Sequence, residues 1–186
     1  HLGAAEAYEV VVTNTNKAAV WFEPYNLLPD HRLFPVIKDG NRQIRLMCYD
    51  AAENTYGNPL PDAVGRRLEG ELHSIIENGF AAPYLIAAQV VKQSVSDGYT
   101  VMPRGSVGSC LTAYLLGITE INPLSPHYVC TQCKYSEWET DVPAKSGFDL
   151  PAKPCPECGC DMKGDGHNIP AEMFLGMNLD KTPDID

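Results

Sequence analysis

Two Cys-x-x-Cys pairs constrain this chain more than any other feature. Cys130-Thr-Gln-Cys133 and Cys155-Pro-Glu-Cys158-Gly159 stand with 21 residues between them. Each turn points two thiolates at one centre, and two such turns make a closed tetrahedral site of the structural zinc type. The stretch from about Tyr128 to Met162 therefore reads as a small lobe folded around a metal. All four positions are protein ligands, which leaves none open for water or substrate. Cys160 is an alternative to Cys158, and His127 is a weaker alternative ligand. The Cys-Pro-x-Cys-Gly spelling also suits iron in a rubredoxin-like electron carrier, and a zinc ribbon can equally be a non-catalytic interaction module. Seven cysteines, an odd number, with four in such pairs, favour a metal site in a reducing compartment over a disulfide framework. That places the chain in the cytoplasm. Cys48 and Cys110 read as small buried hydrophobes.

The cysteine lobe is a minority of the 186 residues, and 44% hydrophobic content lets the remainder bury a core. Three amphipathic helices are legible. The first runs from Asn41 to Tyr56, with Ile44, Met47, Ala51 and Ala52 inward and Gly57 as its stop. The second opens at Pro61-Asp62, repeats Val64, Leu68, Leu72, Ile75 and Ile76 at helical spacing, and stops at Gly79. Its charges Arg66, Arg67, Glu69, Glu71 and Glu77 read as solvated, and His73 as a surface or packing residue. The third spans Ala81 to Asp97 and stops at Gly98, with Tyr84, Leu85, Ala88, Val91 and Val95 in the core. Before them, Tyr8–Val12 is either a short strand or helix continuing from Ala4, and a helix follows from Thr15 to Phe22. Pro24, Pro29 and Pro35 set a soft boundary near residue 30. Both ends look cut from something longer. No apolar run reaches the length of a membrane span, and Glu6, Tyr8 and Glu9 interrupt any signal-peptide core.

Tyr99–Cys110 reads as a strand over Tyr99–Met102, a glycine-serine turn, and a helix from Val107 to Leu116 that ends at Gly117. Glycine lets backbone approach a ligand, a helix start favours an anion, and Arg104 can fork onto phosphate oxygens. The turn fits a polyphosphate, although short glycine motifs of this kind also occur as plain strand-to-helix turns. A proline-punctuated loop covers Ile118–Pro126.

At the end of the chain, Asp184 and Asp186 are one residue apart, so on a strand both face one side with Ile185 turned to the core. Such a carboxylate pair can seat two divalent metals that activate an attacking oxygen and stabilise a leaving pyrophosphate. A solvated acidic tail is the simpler alternative, and Asp165 and Asp180 read as surface charges. The net charge of −10 argues against this piece gripping nucleic acid by itself.

The motifs taken together resemble one family. Arg67-Leu-Glu-x-Glu-Leu72, Gly79-Phe80, Arg104-Gly-Ser-Val-Gly-Ser109 and Ile118–Leu124 look like the C-family bacterial replicases. The cysteine knuckles, Gly147-Phe-Asp-Leu-Pro151, Ile169-Pro-Ala-Glu172 and Pro183-Asp-Ile-Asp186 are similar to the PolC type of DNA polymerase III alpha subunit. The resemblance covers nearly the whole chain, in order. Met102-Pro103 and Cys110 depart from it at the edges of the turn.

The resemblance implies an α/β (α+β) fold: part of a polymerase β-like nucleotidyltransferase palm, with helices before it and a four-cysteine zinc-knuckle insertion at about 128–162. Residues 1–30 would be the tail of a preceding PHP domain and a linker, and 31–186 the partial palm. It implies that Arg104, Gly105, Ser106, Gly108 and Ser109 hold the dNTP triphosphate. Asp184 and Asp186 would bind catalytic Mg²⁺, and Cys130, Cys133, Cys155 and Cys158 a structural Zn²⁺. The partners implied are primer-template DNA, dNTPs, the rest of the polymerase chain and replisome proteins such as the sliding clamp, with no membrane. The third catalytic carboxylate would lie beyond Asp186, so the fragment is expected to be inactive alone.

Overall fold

A computed structural model describes residues 2–23, 25, 27, 35–138, 143–171, 173 and 185. The chain divides into two units, His1–Leu33 and Phe34–Asp186. In the first, helix α1 (Ala4–Tyr8) widens into one π-helical turn over Glu9–Thr13 and resumes as α2 (Asn14–Ala19). The segment Tyr8–Val12, open to either reading in the sequence, is thus helical. Its valines stand largely exposed.

The second unit is built on helices α3 (Gly40–Tyr56), α4 (Asp62–Glu77) and α5 (Ala81–Ser96). Each buries one stripe. On α3 the stripe is Ile44, Cys48, Ala52 and Tyr56, four residues apart, as a helix face requires. The sequence reading put Met47 inward, but Met47 is 44% exposed and Cys48 takes the core position. On α4, Val64, Leu68, Leu72 and Ile75 are buried, and on α5, Tyr84, Leu85 and Ala88. His73 is exposed.

Three helices end in the same way. The glycine after the helix takes a left-handed φ, 73° at Gly79, 86° at Gly98 and 71° at Gly117. The next amide then bonds back five residues: Phe80 N to Ile75 O at 2.8 Å, Tyr99 N to Ser94 O at 3.0 Å and Ile118 N to Ala113 O at 2.9 Å. This is the Schellman closure, and it satisfies carbonyls the helix leaves open.

Two expectations after α5 fail. Tyr99–Met102 forms no strand; Tyr99 and Met102 are 71% and 84% exposed and no neighbouring strand pairs with them among the described residues. The helix expected over Val107–Leu116 is broken in two. A 3₁₀ turn covers Ser106–Ser109, Cys110 is extended (φ −109°, ψ 122°), and helix α6 covers only Leu111–Leu115.

The cysteine lobe is a three-stranded antiparallel sheet, with β1 (His127–Cys130) between β2 (Ser136–Glu137) and β3 (Met162–Asp165). The register sets Cys130 opposite Met162 and His127 opposite Asp165. The overall composition is therefore α+β.

Candidate metal centre and glycine-turn site

The two knuckles are near copies of each other. In each, the amide four residues after the first cysteine bonds to that cysteine's carbonyl: Lys134 N to Cys130 O at 3.0 Å, Gly159 N to Cys155 O at 2.8 Å. In each, the first cysteine's own amide bonds to the carbonyl five residues on, Tyr135 at 2.8 Å and Cys160 at 2.7 Å. The turn requires a left-handed residue at its fourth step. Gly159 fills it at φ 75°, and Lys134 fills it in the first knuckle at φ 67°.

The sulfur atoms of Cys130, Cys133, Cys155 and Cys158 all lie within 4.8 Å of one another. Cys130 Sγ is 3.4 Å from Cys158 Sγ, and Cys133 Sγ is 3.5 Å from Cys155 Sγ. Those spacings are too long for disulfides and close to the ~3.8 Å edge of a tetrahedral zinc tetrathiolate with ~2.3 Å bonds. The amides of Cys133 and Gln132 aim at Cys130 and lower its thiol to about 6, whereas the thiols of Cys133 and Cys158 are raised, so Cys130 is the sulfur that most readily carries a thiolate. The donor set fits a closed four-sulfur metal centre. Neither alternative ligand joins it. Cys160 contributes its backbone to the second knuckle, and the His127 ring is engaged elsewhere.

His127 is fully buried at the other end of β1. Its Nδ1 lies 2.7 Å from the Ser125 carbonyl, so this nitrogen is the donor and Nε2 is left to accept. The Tyr56 hydroxyl is 3.2 Å from Nε2 and accepts a 2.8 Å bond from Asn122 Nδ2. Trp138 stacks on the imidazole, with centroids 4.0 Å apart and planes at 15°. Burial lowers the His127 pKa from its ordinary value. Asp165, read from sequence as a surface charge, is 7% exposed. It accepts from the Tyr114 hydroxyl at 3.1 Å and from Gly166 N at 2.8 Å. The network ties α3 and α6 to the cysteine lobe. No sequence signal marked it: the β1–β3 register that sets Asp165 against the buried histidine is defined only in the folded lobe.

The glycine turn rests on α4. Gly105 has φ 90°, which glycine alone adopts readily, and Arg104 and Gly105 stand exposed. Val107 is fully buried and pegs the turn into the core, and Ser109 is 8% exposed. Behind the turn, Glu71, also read as solvated, is 1% exposed. It accepts from Leu111 N at 3.0 Å and Thr112 N at 2.8 Å, so the start of α6 is capped by a carboxylate and is not open to an anion. Arg67 pairs with Glu71 at 2.5 Å and donates to the Ser109 carbonyl at 2.9 Å and the Ile169 carbonyl at 3.1 Å. The missed signal was position: Glu71 sits three residues after Leu68 and four before Ile75, on the buried stripe of α4.

The structure thus gathers the four cysteines and keeps Arg104, Gly105, Ser106, Gly108 and Ser109 in one turn. Asp184 and Asp186 lie outside the described residues. Ile185, between them, is half-buried against the helical core.

The family described as "Bacterial DNA polymerase III alpha NTPase domain" matches residues 42–186. The PolC-type DNA polymerase III of Bacillus subtilis (strain 168) is 51% identical over 185 residues, which is 100% of this chain and 13% of that protein. The PolC-type enzymes of Caldanaerobacter subterraneus and Streptococcus sanguinis are 48% and 49% identical, with the same coverage of each. The chain therefore spans about 13% of the length of these curated relatives.

Proposed function

The chain belongs to the PolC-type DNA polymerase III family, and from that membership we propose that it forms part of the palm of a replicative DNA-directed DNA polymerase. The observation that carries this is identity of about half along the whole chain with such polymerases. The parent protein would extend a primer 3′ end with dNTPs. In it, Arg104 and the backbone of Gly105–Ser109 would hold the triphosphate, Arg104 as a forked donor and the glycines by admitting close approach. Asp184 and Asp186 would hold Mg²⁺, which when bound supplies charge neutralisation and activation of the attacking 3′-oxygen. The four cysteines would hold a structural zinc. Residues 1–30 would be the tail of a PHP domain and its link to the palm.

Primer-template DNA, the rest of the polymerase chain and replisome proteins such as the sliding clamp are the proposed partners, in the cytoplasm. No helix of the described residues is long and apolar enough to cross a membrane. A net charge of −10 suits a piece whose DNA-gripping surface is supplied elsewhere in the parent, and the 186 residues alone are proposed not to extend primers.

Asp184→Ala in the full-length enzyme tests the assignment. Primer extension is abolished while circular dichroism and the melting temperature stay those of the wild type. Substantial residual extension would refute the role given to Asp184.

A further inference from the structure

Helix α6 is five residues long, far too short to hold itself together, and the residue at its start, Cys110, makes no side-chain cap. Its first amides would be orphaned without an outside acceptor. Glu71 supplies one from a different helix. Its carboxylate takes Leu111 N at 3.0 Å, Thr112 N at 2.8 Å, Thr112 Oγ1 at 3.1 Å and the Cys110 thiol at 3.1 Å. Four donors from three consecutive residues converge on one buried group, and those residues follow the glycine turn directly. Where Glu71 sits, the end of the turn must sit.

Arg67, one helical turn earlier on α4, completes the support. Its Nε bonds Glu71, one terminal nitrogen reaches the Ser109 carbonyl at 2.9 Å, and the other reaches the Ile169 carbonyl at 3.1 Å. A planar guanidinium with fixed donors sets three segments relative to one another, which a lysine point charge does not. The pair is placed behind the turn, with Arg67 17% and Glu71 1% exposed, so it touches the turn's backbone from the core side.

We infer that Arg67 and Glu71 are the positioning residues of the triphosphate turn: they fix the backbone of Ser109–Thr112, so that residues 104–108 are pre-shaped to receive the phosphates. This rests on the reading of the turn as a triphosphate site. It also reassigns the chemistry there. The start of α6 is spent on Glu71, so the phosphate oxygens are met by the turn's own amides and Arg104.

The test uses the full-length polymerase with Glu71→Gln, Arg67→Lys and Thr112→Val, and Arg104→Gln as a variant of the turn itself. Glutamine keeps the shape of Glu71 but turns one acceptor into a donor facing amides, and Thr112→Val removes a single hydroxyl bond. For Glu71→Gln and Arg67→Lys the dNTP KM rises about tenfold, with kcat and primer-template affinity within about threefold of wild type. For Thr112→Val the KM rise is about threefold. If Glu71→Gln does not fold, Arg67→Lys and Thr112→Val decide. A raised dNTP KM in Arg104→Gln with none in the α4 variants overturns the inference and leaves the turn's reading standing. An unchanged KM in Arg104→Gln as well overturns both. A loss of melting temperature and kcat together at constant dNTP KM marks Arg67 and Glu71 as merely structural and also overturns it.

Discussion

Tyr56→Phe isolates the polar joint between the helices and the cysteine lobe. Tyr56 is 3% exposed, so phenylalanine fills the same space and only the oxygen is removed. Two partners lose it: Asn122 Nδ2 at 2.8 Å and His127 Nε2 at 3.2 Å. Both residues are fully buried, so water does not replace the bond. Nδ1 of His127 is committed as a donor to Ser125, which leaves Nε2 an acceptor with no donor. A buried group left in that state costs about 1–3 kcal/mol. Asn122 retains contact with Tyr114 and Asp165, so its loss falls at the lower end. Together the change costs about 2–4 kcal/mol. In a chain of this size that lowers the melting temperature by roughly 4–16 °C. Urea unfolding at pH 7.5 measures it, with an unchanged m-value showing that the same surface unfolds. A destabilisation under about 0.5 kcal/mol, the size of an ordinary surface change, would refute the account. The Trp138 stack would then be what holds the lobe to α3.

Three further outcomes follow. Burial holds the His127 pKa below its unfolded value of about 6.5, so the unfolded chain binds the extra proton. Its contribution is complete above pH 6.5 and is lost as pH falls from there towards the folded value; a urea midpoint that stays flat from pH 7.5 to 5.5 contradicts this. Gly147→Ala drives a methyl to 2.3 Å from the backbone carbon of Asp165, where no flexible side chain can yield, and costs about 3 kcal/mol or more. Gly70→Ala on α4 meets nothing within 4 Å and gains about 0.5–1 kcal/mol, so the two variants should move the urea midpoint in opposite directions.

The long helices were legible because an apolar stripe and a terminal glycine agree at each of them, although Val95, read as core near the end of α5, is 59% exposed. The α4 stripe Val64, Leu68, Leu72 and Ile75 and the stop at Gly79 are found as read. The knuckles were legible because Cys-x-x-Cys is a local geometry whose closure needs only a second copy. What escaped was set by groups distant in sequence. Glu71 looks like one more charge on an amphipathic helix until Leu111 and Thr112, 40 and 41 residues on, need an acceptor. Tyr99–Met102 has strand-forming residues but no partner strand beside it among the described residues, and β-propensity without a partner makes no strand. Asp165 is buried by a register that only the folded lobe defines. On α3, Ile44, Cys48 and Ala52 are buried as read, and only Met47, the residue before Cys48 of the buried stripe, departs at 44% exposed.

Strand β1 is four residues long and carries one of the four clustered cysteines at one end and a buried imidazole at the other. Binding free energy and folding free energy are linked wherever a ligand binds only the folded form. If the four cysteines hold a metal in the folded lobe only, its binding also favours the register that seats His127 between Tyr56 and Trp138. The activity of such a metal ion would then enter the stability of helices that contribute no ligand to it, by about 4 kcal/mol at a thousandfold excess over the dissociation constant. On the proposed reading of the four cysteines as a structural centre, an ion with no part in bond making becomes a thermodynamic variable of the scaffold.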